Sequence, residues 1–155
     1  MGSPMYDRLS LGLVSAVTRT HRAVNRWTNG RVELRLPRGG HGVWITTQGR
    51  HSGLPRRIPL LSVRDDLDPG VWIIAGSNGG QERLPGWVHN ARESPDGFIE
   101  VRRVTWRVRF SEVTAGERDR CFTLLCRPWP MYRSYEQQAS RPVPVFRCIP
   151  IELPR

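Results

Sequence analysis

The chain has 155 residues, 38% of them hydrophobic, with 24 basic against 14 acidic side chains and a net charge of +10. That is enough for one domain with one sizeable core. It contains no lysine, so all 24 are arginine, which excludes a P-loop lysine, a pyridoxal Schiff base and a lysine nucleophile. The surplus charge points to an anionic partner, or to the arginine usage of a GC-rich genome.

The first expected element is an amphipathic helix. Tyr6, Leu9, Leu13, Val17, Val24 and Trp27 recur at helical steps, and Asn29-Gly30 ends the pattern. The apolar part, 9–18, lacks the positive flank and small-residue cleavage site of a signal peptide. No run in the chain approaches the roughly 18 apolar residues of a membrane span. A polar, glycine-rich link then covers 28–42.

Strands follow over 42–47, 56–63 and 71–76, with a strong turn signal at Asp68-Pro69-Gly70. The third strand is apolar enough to be buried on both faces. Pro59 inside the second marks an edge, a bulge or an interruption at a ligand site. A glycine-rich loop from Ser77 leads to a short helix that begins at Pro85 and carries Trp87 and Asn90. Strands over 98–103 and 105–113, helices over 115–126 and 131–139, and a last strand over 143–153 complete the chain. The alternation in RRVTWRVR (102–109) reads as a strand with one solvated face, not as a nucleic-acid-binding run.

Consecutive strands lie too close for helical crossovers. The expected fold class is therefore α+β, mainly β: a small barrel of about six strands with peripheral helices, in a single domain. Residues 1–40 form its N-terminal helix and linker, and 43–151 its barrel. Cys121, Cys126 and Cys148 lack CxxC spacing, and His21, His41, His51 and His89 are scattered, so no metal site is expected. The expected compartment is reducing cytosol.

Three segments carry chemistry. TTQGRHSGLPRR (46–57) gathers hydroxyls, free backbone N–H groups and guanidinium forks in one turn, the donor set a phosphate or carboxylate needs. A polar hairpin loop on a basic protein has the same composition. GSNGGQERLPGW (76–87) leaves a buried strand and feeds a helix N-terminus, a place for an anion or for an ordinary cap. Trp129, Tyr132 and Tyr135 recur every three residues as an aromatic ridge, fit for core packing or for a wet cavity that partners the hydroxyls. No catalytic triad, carboxylate pair or cysteine nucleophile is visible.

VWITTQGRHSGLPRRIPL, AGSNGGQERLPGWVHN and YEQQASRPVPVF, in that order, resemble the deazaflavin-dependent nitroreductase family across residues 43–148. The resemblance implies a split β-barrel, similar to FMN-binding folds, that uses reduced coenzyme F420, a 5-deazaflavin with a phosphate and a glutamate tail. By that likeness the phosphate and tail meet Thr47, Gly49, Arg50, His51, Ser52 and Arg56. The ring lies near Pro59, Ala75 and Gly76 and is edged by Ser77, Asn78, Gly79 and Gly80, with Trp87 and Asn90 holding the loop. Trp129, Tyr132 and Tyr135 line the substrate side, with Tyr135 first and Tyr132 second as proton donor and Ser77 beside them. Several residues depart from the family pattern: His51 and Asn78 stand where lysines are usual, Glu136 and Ala139 replace Gln and Thr, and Trp44 is bulky.

The implied activity is hydride transfer to an activated C=C bond, in natural-product biosynthesis. The alternatives are nitro or quinone reduction in redox defence, and a non-catalytic cofactor binder. The expected partner is a small molecule, apolar and sizeable or a modified peptide. The protein is expected to be a monomer or homodimer with no nucleic-acid partner.

Overall fold

The computed structural model describes residues 35–153. The helix expected over 6–27 lies outside them. Seven strands run β1 (Arg35–Leu36), β2 (Gly40–Gln48), β3 (Pro55–Arg64), β4 (Trp72–Ala75), β5 (Asp96–Val101), β6 (Val104–Glu112) and β7 (Val145–Pro150). Three helices are α1 (Gly86–Glu93), α2 (Ala115–Cys126) and α3 (Met131–Ala139). All pairings are antiparallel, in the order β1-β2-β3-β4-β7-β6-β5. A further pairing of β5 with β2, Ile45 opposite Ile99, closes six strands into a barrel. The two-residue β1 stands outside the ring.

The inward residues follow the period of two that a pleated strand imposes. Val43 and Ile45 of β2 meet Ile99 and Val101 of β5, Val108 and Phe110 of β6, and Phe146 and Cys148 of β7. Trp87, Val88 and Ala91 from α1 join the same cluster. Such side chains contribute roughly 1.5–3 kcal/mol each when fully buried. β4 is buried on both faces, as its unbroken apolar run implies: Trp72 and Ile74 enter the barrel, and α2 packs on the strand from outside. Among the described residues no helix is long and apolar enough to cross a membrane.

Two local expectations are corrected. The link does not extend to residue 42, because Leu36 and Gly40 are already paired. Gly40 is there for close approach: a Cβ on it would stand 2.7 Å from Pro128 Cβ. Likewise Arg102 and Arg103 are not strand. With φ of 52° and 65° they form the two-residue turn between β5 and β6, a conformation usually signalled by Asn-Gly rather than Arg-Arg. Pro59 lies at an edge. Beyond Ser62, β3 keeps β2 as its neighbour but loses β4, whose pairing covers only Trp72 to Ile74.

A buried carboxylate locks the outer layer to the barrel. Asp65, with its side chain fully buried, accepts from Arg120 (2.8 Å) and from the Leu67 N–H (3.0 Å). Arg147 of β7 approaches its other oxygen at 2.9 Å. Burial alone would raise the Asp65 pKa, but the Arg120 and Leu67 hydrogen bonds and the two cations together hold it below the usual carboxylate value. A carboxylate with a depressed folded pKa stabilises the fold above its unfolded pKa, about 3.9. That contribution is lost as pH falls through the folded value. Asp65→Asn should therefore cost about 3 kcal/mol at pH 7. Urea unfolding of wild type should lose stability below about pH 4, and the variant should lose less of it there.

Candidate functional site

The first turn follows β2 directly. The Gly49 N–H donates to Leu54 O (2.8 Å) and the Gly53 N–H to Gly49 O (2.7 Å). Ser52 Oγ accepts from the Leu54 N–H and from Arg56 Nη2, both at 3.3 Å. Asn90 on α1 grips this turn from behind. Its Nδ2 donates to Thr47 Oγ1 and its Oδ1 accepts from the Arg50 N–H, both at 3.2 Å. Both side chains are buried, so these bonds have no solvent competitor.

The front of the turn is cationic. Arg50, His51, Ser52 and Arg56 are exposed, and no described carboxylate pairs with Arg50 or Arg56. Arg57 differs, since Glu100 neutralises it at 2.8 Å and it stacks on Trp44 at 4.3 Å. His89, next to Asn90, has its pKa lowered by burial and by the fields of Arg50, Arg92 and Arg83. Basic side chains from the turn, the loop and α1 thus share one region; Arg92 is paired with Glu112 at 2.7 Å, and the rest make a field that an anion would relieve.

The glycine-rich loop begins where β3 and β4 part. Ser77 is right-handed (φ −72°, ψ −29°), and Asn78, Gly79 and Gly80 all have positive φ, at 49°, 63° and 83°. Only glycine, and to a lesser degree Asn, adopts this backbone readily. Gly80 also needs the space, because a Cβ on it would lie 3.2 Å from the Tyr135 Cα. The Asn78 side chain donates to Gln81 Oε1 (3.2 Å) and Arg83 O (2.8 Å), which closes the loop on itself. The Gly76 and Gly80 N–H groups are used internally, on Pro144 O and Ser77 O. The N–H groups of Ser77, Asn78 and Gly79 make no hydrogen bond to any described residue. A right-handed residue followed by a left-handed one turns successive N–H groups into a concave anion nest.

The aromatic segment sits on the other side of this loop. Tyr135 on α3 is buried, and burial raises its pKa while a hydrogen bond from the Trp129 indole partly offsets the rise. Tyr132 is buried as well, edge-on to Tyr135 (6.1 Å) and tilted against Phe122 (6.3 Å). Burial pushes its pKa well up.

The structure therefore assembles Thr47, Gly49, Arg50, Ser52, Arg56 and Asn90 as one unit, and Gly76, Ser77, Asn78, Gly79, Gly80 and Tyr135 as a second. Pro59 and Ala75 lie on the two strands that separate between them. Trp87 points into the barrel, edge-on to Phe146 at 5.1 Å. Sequence reasoning assigned no role to His89, Arg83 or Arg141. Their signal, three basic residues inside the quoted motifs, was present but not distinctive on so basic a chain.

A family model described as F420H(2)-dependent quinone reductase matches residues 17–150. The chain belongs to that family. F420H(2)-dependent quinone reductases from two strains of Mycobacterium tuberculosis are 32% identical to it over 135 residues, 82% of this chain and 85% of theirs. Among solved structures, an F420-H2 dependent reductase (FDR-A) is 27% identical, covering 69% of this chain and 92% of that one, with a TM-score of 0.63. A chain described as a domain-swapped dimer is 25% identical, covering 88% and 98%, with a TM-score of 0.65. As a member of this family the chain is an F420-dependent reductase with a split-barrel fold, and reduced F420 is its hydride donor.

Three of the departures from the family pattern have local explanations. Asn78 suits its left-handed backbone, and Glu136 accepts from Arg118 and from the Val143 N–H (2.9 Å). Trp44 is covered by Arg57. The Asn90 clamp is directly testable. In a double-mutant cycle of Asn90→Ala with Thr47→Val, the coupling measured by urea unfolding should be about 0.5–1.5 kcal/mol. Asn90→Ala should also weaken F420 binding, read from cofactor fluorescence.

Proposed function

We propose that this protein transfers hydride from F420H2 to a quinone-type acceptor and supplies the accompanying proton from Tyr135. The observation that carries the reading is the pairing of two donor sets that no described carboxylate or carbonyl neutralises. A guanidinium turn suits a phosphate and carboxylate tail, and a run of open N–H groups lies at the parting of β3 and β4. Bound F420H2 supplies the hydride. Arg50 and Arg56, with His51, Ser52 and Thr47 beside them and His89 behind, hold the anionic tail. Ser77, Asn78 and Gly79 present their N–H groups to the electron-rich edge of the ring, with Pro59, Ala75, Gly76 and Gly80 giving it flat, close-packed walls.

Tyr135 stands against this loop with its hydroxyl oriented by Trp129. Its hydroxyl, protonated near neutrality like that of any tyrosine, donates to an oxygen that gains charge, and solvent returns the proton. Tyr132 packs beneath it. The aromatic group of Trp129, Tyr132 and Tyr135 favours a planar, apolar acceptor. A natural-product enone, expected from the sequence, has no observation of its own behind it, whereas the family's description favours a quinone.

The deciding experiment titrates the protein with oxidised F420, FMN and NADPH, then assays F420H2 oxidation with menadione, cyclohexenone and a nitroaromatic. Tight binding of FMN alone would sink the cofactor assignment, and turnover of cyclohexenone above menadione would reverse the choice of acceptor. Tyr135→Phe should lower kcat on the order of 10²-fold with F420 affinity unchanged, and Tyr132→Phe should cost less.

Binding should also depend on pH. Burial first, and then the fields of Arg50, Arg92 and Arg83, lower the His89 pKa in the free protein. A bound polyanion offsets that field and raises the His89 pKa, so binding takes up a proton. Affinity for F420 should therefore strengthen by about tenfold or less from pH 8 to 5.5. His89→Gln should flatten that slope.

A further inference from the structure

Arg141 lies in the extended stretch between α3 and β7 and contacts no described carboxylate. Its guanidinium instead reaches back about sixty residues to the carbonyls of the glycine-rich loop. Nε donates to Glu82 O at 2.7 Å and Nη2 to Gln81 O at 2.9 Å. Longer contacts join Nη2 to Arg83 O (3.4 Å) and Ser77 O (3.5 Å), and Nη1 to Gly76 O (3.5 Å) and Pro142 O (3.4 Å). Five of these six carbonyls belong to residues 76–83. The N–H groups of Ser77, Asn78 and Gly79 in the same loop make no hydrogen bond to a described residue.

This division has a physical consequence. A loop with three successive left-handed residues has few ways to satisfy its carbonyls internally. One rigid, five-donor fork gathers them on one side, which turns the peptide N–H groups to the other. Gly76 O and Ser77 O share their peptides with the Ser77 and Asn78 N–H groups, so the cation beside them also makes those two N–H groups stronger donors. Lysine, a single point donor on a flexible stem, cannot serve carbonyls spread over eight residues.

We propose that Arg141 is the positioning residue of the cofactor loop: through the 76–83 carbonyls it sets the course of the loop that presents the Ser77, Asn78 and Gly79 N–H groups to F420, and it polarises the first two. The proposal rests on the cofactor reading above. It is tested with Arg141→Lys and Arg141→Ala on the full chain, by amide hydrogen exchange of the cofactor-free protein and by fluorescence titration with oxidised F420.

Arg141→Lys should leave cooperative unfolding near the wild-type temperature. It should speed exchange in the 76–83 segment about tenfold or more, leave exchange in β5 and β6 unchanged, and weaken F420 binding by about tenfold. Millimolar guanidinium should partly restore F420 binding to Arg141→Ala, and methylammonium should not. Wild-type loop exchange in Arg141→Lys, or unchanged F420 affinity, overturns the proposal. Faster exchange throughout the chain does too, since it marks a general structural role. If the wild-type chain itself fails to bind F420, the cofactor reading falls and this proposal's cofactor half with it, while loop exchange still decides whether Arg141 sets the loop.

Discussion

A closed antiparallel barrel satisfies its backbone strand against strand, so a place where two strands part is where main-chain groups become available to something else. Here that place lies beyond Ser62 and Ile74. β3 continues through Pro59 to the cationic turn with β2 as its strand neighbour, while β4 stops at Ala75 and gives way to the glycine-rich loop. Proline suits the first of these segments because an edge asks for no second donor. Three left-handed residues suit the second because the chain must curl away at once. The two donor sets of the site are the two sides of one separation.

Holding that separation in shape falls to side chains that arrive from a distance. Asn90 fixes the turn from α1, Arg141 fixes the loop from the approach to β7, and Asp65 ties α2 and β7 to the barrel that carries both. Each is buried or half-buried and each bonds to main chain, where geometry is most exacting. The arginines therefore divide by task. Arg57, Arg118, Arg120 and Arg141 are committed to the fold, whereas Arg50 and Arg56 lie at the surface with no described carboxylate against them.

Much of this was legible in the sequence because it is written locally. Helices 115–126 and 131–139 were expected with the bounds they have, since Pro128, Pro130 and Pro142 punctuate them and their apolar spacing is helical. The doubly buried β4 and the edge character at Pro59 were equally readable. The Arg102-Arg103 turn was not, because neither residue advertises positive φ. The pairing that makes Arg35–Leu36 a strand was hidden as well, since glycines that suggested a link serve close packing at Pro128. Of the site, the donor-rich turn and loop were visible by composition. Arg141 was not, because a contact spanning some sixty residues leaves no periodicity, and one arginine among 24 stands out only once its partners are known.

The three cysteines bear on the choice of acceptor. All are buried without disulfides, and burial raises each thiol's pKa. Quinones are Michael acceptors that alkylate thiolates and, more slowly, amines. With its thiols sheltered and protonated and with no lysine anywhere in the chain, the protein keeps its softest nucleophiles away from such an electrophile. Histidine is what it leaves within reach of the molecule it reduces.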